Sequence, residues 1–424
     1  NSNISIQMGL VDFFKKVEPD KKKSPILHTF YDAVYTFALA PDSITGPKGT
    51  QIKDGMDLKR LMVHVVIAMQ LCYLFGTYNI GHQHFTAAGQ YMGFIEGFHL
   101  KLAHGLILML PIFIVTHVVG LGIEIIFAAK KGHAVEEGFL VSGALIPLIM
   151  PPDIPLWILA VAVAFAVILG KEAFGGTGMN IWNIALLARV FVFFAYPTTI
   201  AGDEVWVSGF DGLAEGTAAT YGWAHNLSNT LFGWLGLDGF NAASTAVVDG
   251  YTGATPLALA YQGGWEGATA VYTPSQMWWG TIPGSIGESS KPLILIGALF
   301  LLVTKIASWR IMLSMLIGGI VGALTLNAWG ATPFMEVPWY YQFFMGSFFF
   351  AMAFMATDPV TAASTNTGKW WYGFLIGFIG MIIRVLNPAY PEGWMLAILF
   401  MNTFAPLIDH YVLQSNISKR LKRA

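Results

Sequence analysis

Cysteine is almost missing from this chain: Cys72 is the one thiol in 424 residues. That excludes an intrachain disulfide, a Cys-ligated iron–sulfur cluster and a Cys-rich zinc site. Charge is scarce too. Asp, Glu, Lys and Arg supply 11% of the residues, against roughly 25% in a typical soluble domain. That is too little to coat a water-soluble particle of this size. The net charge of −2 leaves no basic surplus for nucleic acid. No Gly-x-Gly-x-x-Gly follows a strand pattern, so dinucleotide binding has no fingerprint here. What is abundant is apolar: 55% of the residues are hydrophobic, with 31 Phe and 14 Trp. The composition specifies an all-α integral membrane protein.

A spanning helix needs about 20 mostly apolar residues. Such stretches predict ten transmembrane helices, near 59–78, 102–127, 138–151, 154–171, 181–197, 292–307, 310–328, 340–357, 370–386 and 393–411. The third is short and interrupted by Pro147. Residues 1–58 are polar and hold no apolar run of the signal-peptide kind. With this segment in the cytoplasm, the inside segments carry 19 of the 23 Lys and Arg residues. The other four, Lys101, Arg189, Lys291 and Arg384, fall at helix ends or within spans. Residues 190–290 contain no Lys or Arg and eight acids, the mark of a translocated segment. Ten spans then put both termini in the cytoplasm. Lys21, Lys22, Lys23 and the basic tail 413–424 are expected to meet anionic membrane lipid.

Two stretches repeat. One runs Met150-Pro151-Pro152-Asp153, an apolar helix, then Asn183-Ile184-Ala185; the other runs Met355-Ala356-Thr357-Asp358-Pro359, an apolar helix, then Asn387-Pro388-Ala389. Five spans per half, 59–197 and 292–412, point to a transporter-like pair of inverted repeats, with a large outer-face insertion, 198–291, between them. The plainer reading is coincidence among apolar helices that end in Pro-rich loops. Gly- and Pro-broken helices in such repeats build sites near the bilayer midplane. Their exposed backbone groups are tolerable only where they are buried in protein or line a polar cavity.

At the centre of the insertion stands Asp249-Gly250-Tyr251-Thr252-Gly253-Ala254-Thr255-Pro256. A Thr in a Gly/Ala loop is by itself an ordinary loop residue. Here the D-G-x-[ST]-G-A-T core resembles the flavinylation sequence of the membrane flavin subunits of sodium-translocating NADH:quinone reductases and the related Rnf complexes. Further motifs carry the resemblance through nearly the whole chain: Lys171 to Gly178, Arg189 to Pro197, Ile282 to Glu288, Ala307 to Arg310, Ala356 to Val360 and Arg384 to Gly393. The N-terminal extension, with Met8-Gly9-Leu10 and Asp57-Leu58-Lys59-Arg60, favours the quinone reductase over the shorter Rnf type. Ile184 departs from the family's Asn-Pro-Ala.

The resemblance implies a subunit of a bacterial inner-membrane complex that passes electrons from NADH to a quinone such as ubiquinone and exports sodium. FMN would be joined through its phosphate to Thr255 by a flavin transferase, within the motif formed by Asp249, Gly253 and Ala254. A riboflavin would lie at Asn180 and Asn183, whose amides can bond the polar edge of a flavin ring; polar helix packing is the plainer reading. Gly120 and Leu121 resemble the family's quinone region, although Gly-x-Gly also suits close packing. Partner subunits would carry FAD, the iron–sulfur clusters and a second covalent FMN. Asp409 and Glu124 are acids inside spans, where acids mark cation passage, and the resemblance points to a sodium path. The plainer reading is an interfacial acid paired with Lys130 or the basic tail. His82, His84, His99 and His104 suggest a metal, but His82-x-His84 is expected in an outer loop without further ligands at convincing spacing. The alternatives are an Rnf-type ferredoxin:NAD subunit and a small-solute channel or transporter on the same repeat. The Thr255 motif separates the latter from the others.

Overall fold

The computed structural model describes residues 16–20, 24–38, 58–132, 138–200, 206–208, 230, 233, 253–387 and 393–423. Among them all regular structure is helical, and no strand occurs. In chain order the first half holds α1 (Pro25–Ala38), α2 (Leu58–Ala87), α3 (Phe98–Lys131), α4 (Phe139–Ile149), α5 (Leu156–Gly170) and α6 (Ile184–Ala195). Then come α7 (Pro256–Val271) and α8 (Pro274–Trp279). The second half holds α9 (Lys291–Val303), α10 (Trp309–Trp329), α11 (Phe348–Phe350), α12 (Asn366–Leu386) and α13 (Trp394–Leu421). Helices α2, α3, α10, α12 and α13, and α5 together with the 3-10 turn that carries it to Phe174, are long and apolar enough to cross a membrane; α4, α6 and α9 are shorter apolar helices.

The packing partners repeat between the halves. Helix α3 packs on α5 as α10 packs on α12, and α5 meets α6 as α12 meets α13. The short α4 sits against α2, α3 and α6; α11 and the π-helical turn that continues it over Ala351–Met355 sit against α9, α10 and α13. Small residues set the closest approach. A methyl on Gly318 would strike the Phe374 carbonyl, and one on Gly377 the Met315 carbonyl, so α10 and α12 touch backbone to backbone. The segment before α9 also packs inward: Ile282 O accepts from Asn79 Nδ2 (2.9 Å), and Gly287 N donates to Leu148 O (2.7 Å).

Two expectations are corrected. The eighth span, near 340–357, is not one α-helix. It is a 3-10 turn over Tyr341–Phe343, then α11, then the π-helical turn. Arg384 Nη1 donates to the carbonyls of Gln342 and Met345, which an α-helix would have turned toward amides further along. Between them and α11 Gly346 has φ of 75°, and a methyl there would lie 2.8 Å from the Arg384 guanidinium. Secondly, α2 continues to Ala87, so His82 and His84 lie in its buried last turns rather than in a loop.

The four basic residues outside the inner-side charge count share one role. Lys101, Arg189, Lys291 and Arg384 are all buried. Lys101 donates to Gly93 O, Arg189 to Ile149 O at the end of α4, Lys291 to Glu288 O and Ser289 O, and Arg384 as above. Each cation satisfies carbonyls where a helix or loop breaks. Replacing Arg384 by Met, which keeps bulk but donates nothing, orphans two buried carbonyls at about 1–3 kcal/mol each. Thermal unfolding in detergent should show a markedly lower midpoint for Arg384→Met, and a smaller fall for Arg384→Lys.

Candidate functional site

Both breaks have a polar residue at their edge, and one of these joins the two halves. Asn183 caps α6: its Oδ1 accepts from Leu186 N (3.2 Å), which frees Nδ2 to donate to Asp358 Oδ2 (3.3 Å) in the break between the π turn and α12. Asp358 also accepts from Thr361 Oγ1 (3.0 Å) and Val360 N (3.1 Å). The Asn402 amide, turned so that each end meets a complementary group, accepts from Asn183 N (3.2 Å) and donates to the Tyr372 hydroxyl (2.6 Å). A polar chain thus runs from α12 through α13 and α6 to the second break.

A cavity of about 100 Å³ adjoins this chain. Its polar lining comprises Ser142, Lys171, Thr177, Asn180, Asn183, Thr357 and Asp358; Val141, Leu145 and Phe354 supply apolar wall. The structure therefore brings Asn180 and Asn183 to one cavity. Asn180 Nδ2 donates to Trp182 O (3.1 Å). The Gly175-Gly176-Thr177-Gly178 turn needs its glycines, whose φ values are 127°, 117° and 87°. Asp358 and Lys171 are site residues that stand out in the sequence only as parts of longer motifs. An acid closing an apolar run was the available signal for Asp358.

Glu124 is buried and forms an ion pair with Lys171 rather than with Lys130. Next to it Lys131 Nζ meets Glu172 Oε2 (2.9 Å), so two ion pairs tie the end of α3 to the turn after α5. Gly120 lies beneath the Phe139 ring, which a methyl there would strike, while Leu121 is half-buried against the core. Asp409 takes neither expected partner. Its carboxylate accepts from Ser364 N (2.6 Å), Thr365 N (3.0 Å) and Thr365 Oγ1, and the Thr365 hydroxyl in turn accepts from Gly368 N (3.1 Å). Asp409 thus fixes the start of α12, where a helix favours negative charge. Glu124 and Asp409 are held by different partners in different elements.

Thr255 is the N-cap of α7, with φ −69° and ψ 151°, and its hydroxyl accepts from Ala258 N at 3.3 Å. It is half-buried, while Gly253 and Ala254 before it are buried. The Tyr272 hydroxyl anchors the motif by donating to Ala254 O (3.1 Å). Trp265 of α7 stacks on Tyr341 at 3.8 Å between ring centroids. Asp249 lies outside the described residues.

Among the described residues no three His, Cys, Asp or Glu side chains are grouped to hold a metal ion. His84 Nδ1 and His104 Nε2 both bond Ser208, at 2.8 Å to its carbonyl and 3.0 Å to its hydroxyl, and His82 Nδ1 lies 3.0 Å from Lys101 Nζ. These histidines hold a piece of the insertion onto α2 and α3.

Residues 47–418 match the model of the NQR2, RnfD, RnfE family. The chain is similar to a Na(+)-translocating NADH-quinone reductase subunit of Chromohalobacter salexigens, 41% identical over 98% of this chain and 97% of that one. The subunit of the same name in Ectopseudomonas mendocina is 40% identical over 98% and 100% of the two chains, and that in Haemophilus influenzae 38% over 98% and 99%. Family match and near-full-length identity agree with the all-helical membrane architecture and the two polar breaks: the chain belongs to the NQR2, RnfD, RnfE family.

Proposed function

We propose that this chain is the flavin-carrying membrane subunit of a sodium-translocating NADH:quinone reductase, with FMN covalently on Thr255 and a riboflavin at Asn180 and Asn183. The observation that carries the reading is Thr255 itself: a half-buried hydroxyl at a helix N-terminus, inside the sequence that resembles a flavinylation motif. A flavin transferase would direct Thr255 Oγ1 at the FMN phosphorus of FAD. The Oγ1–P bond forms, the pyrophosphate P–O bond breaks, AMP leaves, and the hydroxyl proton passes to solvent. The N–H groups that open α7 suit phosphoryl oxygens at that position. The small Gly253 and Ala254 leave the transferase room.

For riboflavin, the donor set fits better than the space. Asn180, Asn183, Thr177 and Thr357 offer both donors and acceptors to a flavin edge. The cavity, at about 100 Å³, is below the roughly 300 Å³ at which ligand pockets begin. Binding would therefore have to part the walls, to which α2 contributes Leu61, Met62 and Val65. When bound, flavins relay single electrons between two-electron donors and acceptors. The protein's part is to hold them in fixed places and keep water out. NADH oxidation falls to partner subunits with FAD, iron–sulfur clusters and a second covalent FMN. Quinone is assigned to the Gly120–Leu121 end of α3, where Phe139 covers Gly120. Sodium would enter past Asp409 and Glu124 and leave at the opposite face, with both chain termini in the cytoplasm and the complex in the bacterial inner membrane. The repeated packing supports a two-halved repeat whose halves meet at the Asn183–Asp358 contact.

Denatured protein on an SDS gel should show a fluorescent flavin band at the mass of this chain. The band should vanish in Thr255→Val and persist weakly in Thr255→Ser; a wild-type chain without a band, in cells that contain the transferase, sinks the covalent assignment. Acid-extractable flavin should fall in Asn180→Leu while that band remains, because among the described residues Asn180 makes only a local side-chain bond, to Trp182 O.

Replacing Asp409 by Ala should raise the sodium concentration needed for quinone reduction several-fold and leave both flavins bound. The carboxylate can replace part of a cation's hydration shell. An unchanged sodium dependence, with a lower unfolding midpoint, would reduce Asp409 to the cap of α12.

A further inference from the structure

A groove between the last two long helices takes no part in the proposed electron and sodium chemistry. It encloses about 440 Å³ and lies between the start of α12 and the end of α13. The two helices run antiparallel here: Thr365 meets Asp409, and Tyr372 meets Asn402. Positions 367, 371 and 375 of α12 line one side, and 408, 411, 412, 415, 416 and 419 of α13 the other. Both sets follow helical spacing, so each is a continuous face.

The groove has a graded polarity. In this register Leu375 lies at the inner end, with Trp371, 58% exposed, one turn nearer the start of α12. Ile408 stands level with that start beside Thr367, and Tyr411, 67% exposed, comes next along α13. Asn416 and Lys419 stand at the outer end, about 12–16 Å along α13 from Ile408 at 1.5 Å per residue. Hydrocarbon, then amphipathic aromatics, then a cation is the order a phospholipid presents from acyl chain to phosphate. Charge points the same way. Lys419 is followed by Arg420, Lys422 and Arg423, and no Asp or Glu is among the lining residues. A helix of a partner protein would bury the large exposed faces of Trp371 and Tyr411, but would need an acid placed opposite Lys419. An anionic lipid meets both demands at once.

We propose that this groove binds one anionic phospholipid. Its phosphate is held by Lys419 and Asn416, with the Ser415 hydroxyl in reach of the head group, and one acyl chain runs over Ile408 toward Leu375. The bound lipid braces α12 against α13 beside the Asp409 cap.

The test uses the full chain, with whatever subunits copurify, in detergent doped with phosphatidylglycerol or phosphatidylcholine, read by native mass spectrometry. One phosphatidylglycerol should be retained in preference to phosphatidylcholine. Lys419→Gln should weaken retention roughly fivefold, the worth of one basic side chain at an anionic surface. Lys422→Gln, outside the groove, should leave it unchanged, and Leu375→Trp, which fills the inner end, should abolish it. Unfolding midpoints on the same samples separate loss of the lipid from loss of the fold. A photo-crosslinking residue at 411 in whole cells should capture lipid. Equal losses in the two Lys variants would mean diffuse tail electrostatics and overturn the site. So would equal retention of phosphatidylcholine, displacement by millimolar inorganic phosphate, or a crosslink from 411 to another protein.

Discussion

Inside a bilayer every backbone N–H and C=O must find a partner within the protein, and this structure breaks its helices anyway. Buried cations make the breaks tolerable. Arg189 closes the end of α4, Arg384 holds the carbonyls that introduce α11, Lys291 those before α9, and Lys101 the loop before α3. An uncompensated buried charge is costly, but these charges sit among oriented carbonyl dipoles. Arg189 and Arg384 also lie over the indoles of Trp206 and Trp394. The cations and the breaks therefore depend on each other.

Much of the fold is legible in the sequence because lipid imposes a simple rule: an apolar run of sufficient length becomes a helix. The runs near 310–328 and 370–386 correspond closely to Trp309–Trp329 and Asn366–Leu386. The rule fails where polar residues are buried by protein instead of lipid. Thr77, Asn79, His82, Gln83 and His84 interrupt the apolar pattern of α2, yet the helix continues because α3, Ser208 and the 282–289 segment cover them. Near 340–357 the composition promises a helix, and only the guanidinium of Arg384, some forty residues later in the chain, turns the carbonyls aside. Hydropathy carries no record of so distant a partner.

The site was legible to a different depth. Asn180 and Asn183 follow a glycine-rich break, and local pattern sufficed to single them out. That Asn183 would divide its amide between its own helix and Asp358 could not be read, since nothing local links positions 175 residues apart. Glu124 and Asp409 were recognisable as acids inside spans, but their partners, Lys171 and the Ser364–Thr365 backbone, come from other elements. Thr255 was found by its motif; its place as a helix cap follows from Pro256 after it, the residue type that opens helices.

The contact between Asn183 and Asp358 also bears on how the protein is made. The first half of the chain enters the membrane with Asn183 already at the head of α6, but Asp358 and Asn402 have yet to leave the ribosome. At about 5–20 residues per second, the 175 residues between Asn183 and Asp358 take roughly 10–35 seconds to synthesise. During that interval the amide faces an unfinished cavity and must be served by water or by the insertion machinery. Whatever small molecule the cavity accepts can be enclosed only after the segment through Val360 has joined, so loading of the site is a late event in assembly and reports that the second half has reached the first.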